Sequence, residues 1–458
     1  MQSLKSLTQG KTNNDKEVFK MNNLEDKIKD FVQSQGVKLI GIAGPERLNG
    51  PPSLDVTYTM KNGKSIVSMA LPMDVNAIYD FLSKKSQINH NTDQLINNQK
   101  LHHISARVAG FLKSLGHKAA PVPSNNTYRR SPDPVATHPS FSHRFGAIAS
   151  GIAAQGLSGN VMTKEYGAAI YLGTVVTNAI LKSDPMLPPG YFIDNFCEKC
   201  MKCDKACPVR MFKSEEKESI LLNGELHQRG KRRSIDLCNA SCFGLHSLSV
   251  DKTWSSWGSH WISKWTEKEP DPENESIKLP LLIKGGAVGD SAVRYELIRR
   301  LASKLYPEEI LAPDKLGKKE EDYPDDELER RSLQARNIKK YLGVKVYDAN
   351  VLTCGHCAMV CGPDIKETAK RLKMLREGGI VVQGKDRRTV ITKSFEEAKR
   401  IKKQYPIKVS LLNKFIDMNK ATAIFLGRYW GIEPKSIIQN WIYQRNLKRA
   451  IKEMGNKL

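Results

Sequence analysis

Residues 197–208 read Cys197-Glu198-Lys199-Cys200-Met201-Lys202-Cys203-Asp204-Lys205-Ala206-Cys207-Pro208, which is C-x2-C-x2-C-x3-C-P. That spacing suits an iron–sulfur cubane, whose four iron corners each take one thiolate. Three thiols about three residues apart reach three corners of one cube. The fourth is carried too far round the turn and serves a neighbouring cluster, while Pro208 directs the chain away.

A second run, Cys354-Gly355-His356-Cys357-Ala358-Met359-Val360-Cys361-Gly362-Pro363, supplies two local ligands and one exported one. Two 4Fe-4S clusters follow from this arithmetic. The first is expected on Cys197, Cys200, Cys203 and Cys361. The second takes Cys207, Cys354, Cys357 and one further thiol, which is either Cys238 or Cys242. Cys238 is the first choice, because it follows the short strand-like Ile235-Asp236-Leu237. The unused cysteine is then a small buried hydrophobe.

The remaining composition narrows the setting. The chain has 458 residues, 26% of them charged and 40% hydrophobic, so it can bury a sizeable core and is neither disordered nor a multi-span membrane protein. No window approaches the roughly 18 apolar residues needed to cross a bilayer. The first twenty residues carry scattered lysines without an apolar core or a twin-arginine pair, which predicts a cytoplasmic protein. In a reducing compartment, clustered cysteines point to metal rather than to disulfides.

Along the chain, residues 1–22 form a polar arm and an α/β unit occupies 23–190. In that unit a helix from Leu24 stops at Gly36, a strand runs from Val37 to Ile42, and a second helical stretch covers Asn76 to Leu115. Leu54–Met60 and Ser65–Leu71 flank the turn Lys61-Asn62-Gly63-Lys64 as a paired-strand signal. Ala119–Val122 is the next strand, and the proline-rich stretch Val122–Ser142 is a long functional loop. His143 and Arg144 after it either line the pocket or form a surface pair, and the surface pair is the first choice. The cysteine unit covers 191–365 and holds an inserted region, 246–345, in which Trp254, Trp257, Trp261 and Trp265 would share one helical face. Residues 366–458 form a basic, mostly helical unit. It contains 23 Lys+Arg and 8 Asp+Glu, and so carries +15 of the net +23.

An α/β domain followed by Gly156-Leu157-Ser158-Gly159-Asn160-Val161-Met162-Thr163-Lys164-Glu165-Tyr166-Gly167, then Leu172-Gly173 and the two cysteine runs, resembles the superfamily of reductive dehalogenases and epoxyqueuosine reductases. The resemblance covers about residues 25–365. It implies an α+β protein in which a nitroreductase-like α/β domain binds cobalamin, followed by a split two-cluster ferredoxin-like domain that delivers electrons to it. The implied reaction is reductive cleavage of a carbon–halogen or other carbon–heteroatom bond in a small-molecule substrate.

The proton donor separates the branches. Epoxyqueuosine reductases place an aspartate ahead of an Ala-Pro-Val-like strand, where this chain has Lys118. The dehalogenase pattern of a tyrosine beside a basic residue matches Tyr128 with Arg129, the cation helping the phenol to release its proton. Ser158 and Asn160 compete for the polar position facing cofactor or substrate, and Tyr166 is a packing residue. An acidic electron donor such as ferredoxin or flavodoxin fits the basic surface. Nucleic acid is the less favoured partner, with Lys399-Arg400-Ile401-Lys402-Lys403 and Arg445-Asn446-Leu447-Lys448-Arg449 as phosphate contacts. The remaining alternative is a two-cluster electron carrier without catalysis.

Overall fold

The computed structural model of the chain describes residues 23–122, 139–232, 238, 241, 246–258, 354–385 and 389–405, with isolated positions between 441 and 453. The arm 1–22, the loop from 123 to 138 with Tyr128 and Arg129, Cys242, Trp261, Trp265 and most of the inserted region lie outside these residues. So does most of the basic tail.

The α/β unit is built on a four-stranded antiparallel sheet. Its strands are β1 (Leu39–Ala43), β2 (Ser65–Pro72), β3 (Ala119–Val122) and β6 (Ile170–Thr177), in the order β1-β2-β6-β3. The β2–β6 pairing runs from Ser65 opposite Thr177 to Pro72 opposite Ile170. The period-2 alternation of β2 sends Ile66 and Ala70 to one core, and Val67, Met69 and Leu71 to the other. The sheet is therefore buried on both faces.

Helices α1 (Leu24–Ser34) and α3 (Ile88–Ser114) cover the second face, with Ile28, Val32, Val108 and Leu112 fully buried against it. Each such side chain contributes about 1.5–3 kcal/mol of burial. The Asn23 side chain caps α1 by accepting from the Asp26 N–H at 2.8 Å, and Gly36 and Gly116, both at positive φ, stop α1 and α3. Helix α2 (Val75–Leu82) precedes α3. On the other face lies α4 (His143–Ala149), which is capped by the Ser142 hydroxyl.

Several expectations are corrected. Leu54 and Val56–Tyr58 lie in 3-10 turns, because Pro51 and Pro52 deny the ladder its donors and Asp55 bonds the Thr57 N–H. Strand β2 pairs with β1 and β6 instead. Trp254 and Trp257 stand in irregular backbone rather than on a helix. Both rings are nonetheless buried, and the Trp257 indole donates to the Phe81 carbonyl at 2.9 Å. His143 is 3% exposed and its Nδ1 lies 2.8 Å from Thr174 Oγ1, so it belongs to the core.

Past the short pair β4 (Ala154–Gln155) and β5 (Val161–Met162), the cysteine loop leads into a hairpin of β7 (Phe212–Leu222) and β8 (Glu225–Arg232). Asn223 and Gly224, both at positive φ, form its turn. The unit after residue 365 contains strands as well as helices. Helix α8 (Ile365–Glu377) leads to β9 (Ile380–Gln383), β10 (Thr389–Thr392) and helix α9 (Phe395–Gln404). The β-branched run Ile380-Val381-Val382 after Gly378-Gly379 favours the strand. Among the described residues no helix is long and apolar enough to cross a membrane.

Candidate metal centre

The first cysteine run begins in a π-helical turn, Ile193–Cys197, and passes through the short helices α5 (Glu198–Cys200) and α6 (Lys202–Lys205). Met201 between them has φ +50, and this left-handed residue folds the loop back on itself. In the second run Gly355, at φ +62, precedes helix α7 (His356–Met359). Asp364 then caps α8 through the Glu367 N–H at 2.7 Å.

The glycine-rich stretch joins the sheet to these loops. The Ala168 N–H donates to the Cys361 carbonyl at 3.1 Å. Gly167, at φ +61, passes so close that a Cβ there would lie 2.2 Å from the Gly362 oxygen. The Cys197 sulfur lies 3.9 Å from Met162 Sδ in this stretch. Tyr166 packs against the core of the first face.

Cys197, Cys200, Cys203 and Cys361 line one cavity, walled also by Ser158, Met162 and Thr368. The other four described cysteines form an adjoining neighbourhood. Burial, followed by Cys354 and Cys238, pushes the Cys357 thiol up to about 11. Burial holds the Cys207 thiol well above its usual range, and Cys354 and Cys238 add to the effect. Cys361 is pushed up to about 12 by burial and by Cys197, Cys200 and Cys357. Thiols crowded out of solvent in this way gain most from a cation that takes their protons, which is what metal coordination does.

No disulfide joins the eight described cysteines. Among the described residues no three His, Cys, Asp or Glu side chains converge on a point where they would chelate a single ion.

Ser158 and Asn160 both face the cysteines. Ser158 is buried on the wall of the cavity. Asn160 Nδ2 donates to Cys357 Sγ at 3.3 Å. Lys118 is not brought to this place. It is exposed at the start of β3, with its N–H on the Asn178 side chain at 2.7 Å. Asn178 follows β6 at the end opposite Ala168, so Lys118 stands roughly 30 Å of strand away from Cys361.

Three arginines meet beside Gly159: Arg144, which the sequence offers as a pocket or surface residue, and Arg229 and Arg232, which it does not single out. The last two sit on β8, and the Asn223-Gly224 dipeptide between apolar residues was the signal for that hairpin.

No protein-family model matches the chain. It is 27% identical over 118 residues to the tetrachloroethene reductive dehalogenases of Dehalobacter restrictus and of Desulfitobacterium hafniense. That match covers 26% of this chain, which spans only 18% of the length of either relative. Among solved structures, it is similar to an epoxyqueuosine reductase from Bacillus subtilis (15% identity, TM-score 0.33, covering 87% of this chain and 98% of that one). It is also similar to a reductive dehalogenase described with a B12-dependent mechanism (14% identity, TM-score 0.34, covering 59% and 36%).

Proposed function

We propose that the chain is an iron–sulfur oxidoreductase of the reductive dehalogenase kind, with two 4Fe-4S clusters feeding a reactive centre in the α/β unit. One observation carries the reading: four thiols from two distant segments line a single cavity against the glycine-rich stretch of that unit. The first cluster belongs to Cys197, Cys200, Cys203 and Cys361, and the second to Cys207, Cys238, Cys354 and Cys357. The clusters would supply single electrons at low potential. The chain's own part is to hold the sulfurs, exclude water and donate hydrogen bonds to them from Asn160 and from the Met211 backbone N–H.

Cobalamin enters this proposal through likeness alone. Ser158 and Asn160 are turned toward the cysteines, and the loop holding Tyr128 and Arg129 lies outside the described residues. No step is derived through the corrinoid. Tyr128 remains the proposed proton donor, assisted by Arg129, and reductive carbon–halogen cleavage is the proposed reaction. An acidic one-electron protein is the proposed donor.

Anaerobic reconstitution with iron, sulfide and cobalamin, followed by a low-potential reductant and a panel of organohalides, tests this directly. Retained cobalt and released halide are expected. Reduction of epoxyqueuosine in tRNA without halide release would move the protein to the other branch. Full iron with no bound corrinoid would make it an electron carrier.

A further inference from the structure

Hairpin β7–β8 is tied to the glycine-rich turn, where the Gly230 N–H donates to the Leu157 carbonyl at 2.8 Å. Two residues on, Arg232 reaches into room that exists only because residue 159 is glycine. A Cβ on Gly159, which has φ +75, would lie 2.5 Å from Arg232 Nη2. Arg232 Nε is out of solvent and has no hydrogen-bond partner among the described residues. Two further guanidinium groups converge there. Arg144 Nη1 donates to the Gly159 carbonyl at 3.3 Å, and Arg229 is paired with Glu218 at 2.6 Å.

Crowding cations in this way is unfavourable unless an anion offsets it. Burial, with Arg229 and Arg144, lowers the Arg232 guanidinium to about 10, which still leaves it charged at neutral pH. The notch lies beside the second cysteine run: Asn160, next in sequence to Gly159, donates its Nδ2 to Cys357 Sγ at 3.3 Å, and Cys238 and Cys357 supply the opposing attraction. Both cysteines belong to the set assigned above to the second cluster.

We propose that Arg232, seated in the notch left by Gly159 and flanked by Arg144 and Arg229, is the counter-charge of the second iron–sulfur cluster and raises its reduction potential. A cubane on four thiolates is net anionic, and each one-electron reduction adds negative charge, so a fixed cation nearby favours the reduced form. The electron comes from the external low-potential donor, and Arg232 takes no part in bond making. The inference rests on the two-cluster reading of the cysteines.

The test is a potentiometric EPR titration of the full-length protein carrying its iron, with Arg232→Gln, Arg232→Lys and Arg144→Gln. In Arg232→Gln one of the two midpoints is expected to become more negative while the other stays in place, and Arg232→Lys restores most of the shift. If Arg232→Gln holds less iron than wild type, Arg144→Gln carries the decision, with a smaller shift in the same direction expected. Unchanged midpoints at full iron, or an equal shift in the lysine variant, would overturn the role of Arg232 and leave the cluster assignment standing. Wild-type protein that binds no iron would end the underlying cluster reading instead.

Discussion

Asn160 Nδ2 donates to Cys357 Sγ at 3.3 Å, bridging 197 residues of sequence and joining the glycine-rich stretch to the second cysteine run. An amide donor at a cluster sulfur stabilises added negative charge and so raises the potential. Asn160→Leu is expected to keep its iron and lower one midpoint in an EPR-monitored titration. A midpoint equal to wild type would mean that the iron-loaded protein does not use this hydrogen bond.

Gly167 is irreplaceable for two reasons that add. Its φ of +61 costs an ordinary residue about 1–3 kcal/mol. Its missing side chain also clears the Gly362 and Cys361 carbonyls, 2.2 and 2.6 Å from where a Cβ would sit. Gly167→Ala should push the second run away from the sheet, lowering both the melting temperature and the iron content. A variant with full iron and wild-type stability would show that Cys361 is not held by this contact.

Lys84 gives a signed pH dependence. Burial, with Lys393 adding to it, lowers its ammonium from 10.5 to about 7, and Nζ has no hydrogen-bond partner among the described residues. Between those values the unfolded chain holds a proton that the folded chain has released, so stability rises with pH through that window. Lys84→Met keeps the stem beside Trp257 and removes the buried amine. It should be more stable than wild type by about 1–3 kcal/mol at pH 7, with the advantage shrinking toward pH 10.5. Denaturant titrations at both ends check this, and a constant gap would contradict it.

The His143–Thr174 contact at 2.8 Å ties α4 to β6. Thr174→Val keeps the shape and deletes the hydroxyl, leaving His143 Nδ1 without that partner. A loss of about 1–3 kcal/mol is expected in urea unfolding. A neutral outcome would mean that the imidazole finds another partner.

Much of this was legible in the chain because local physics decided it. Gly36 and Gly116 end their helices through backbone freedom, and the two cysteine runs that the spacing singles out do meet at one pocket. What escaped depended on distant partners. His143 looks like a surface residue until Thr174 is packed against it. Trp254 and Trp257 fall at helical intervals, yet they are placed by Phe81 and the second cysteine run. The prolines at 51 and 52 outweighed the strand propensity of residues 54–60. Arg232 gains its meaning from the absent side chain of Gly159, 73 positions earlier in the sequence.

The central claim is that thiols from two distant runs hold a pair of clusters. Iron analysis and EPR on anaerobically prepared wild type and on Cys200→Ala and Cys354→Ala test it most directly. About eight irons per chain are expected in wild type, with about four in each variant and a different reduced-cluster signal lost from each. Wild-type protein without iron, or two variants that lose the same signal, would contradict it.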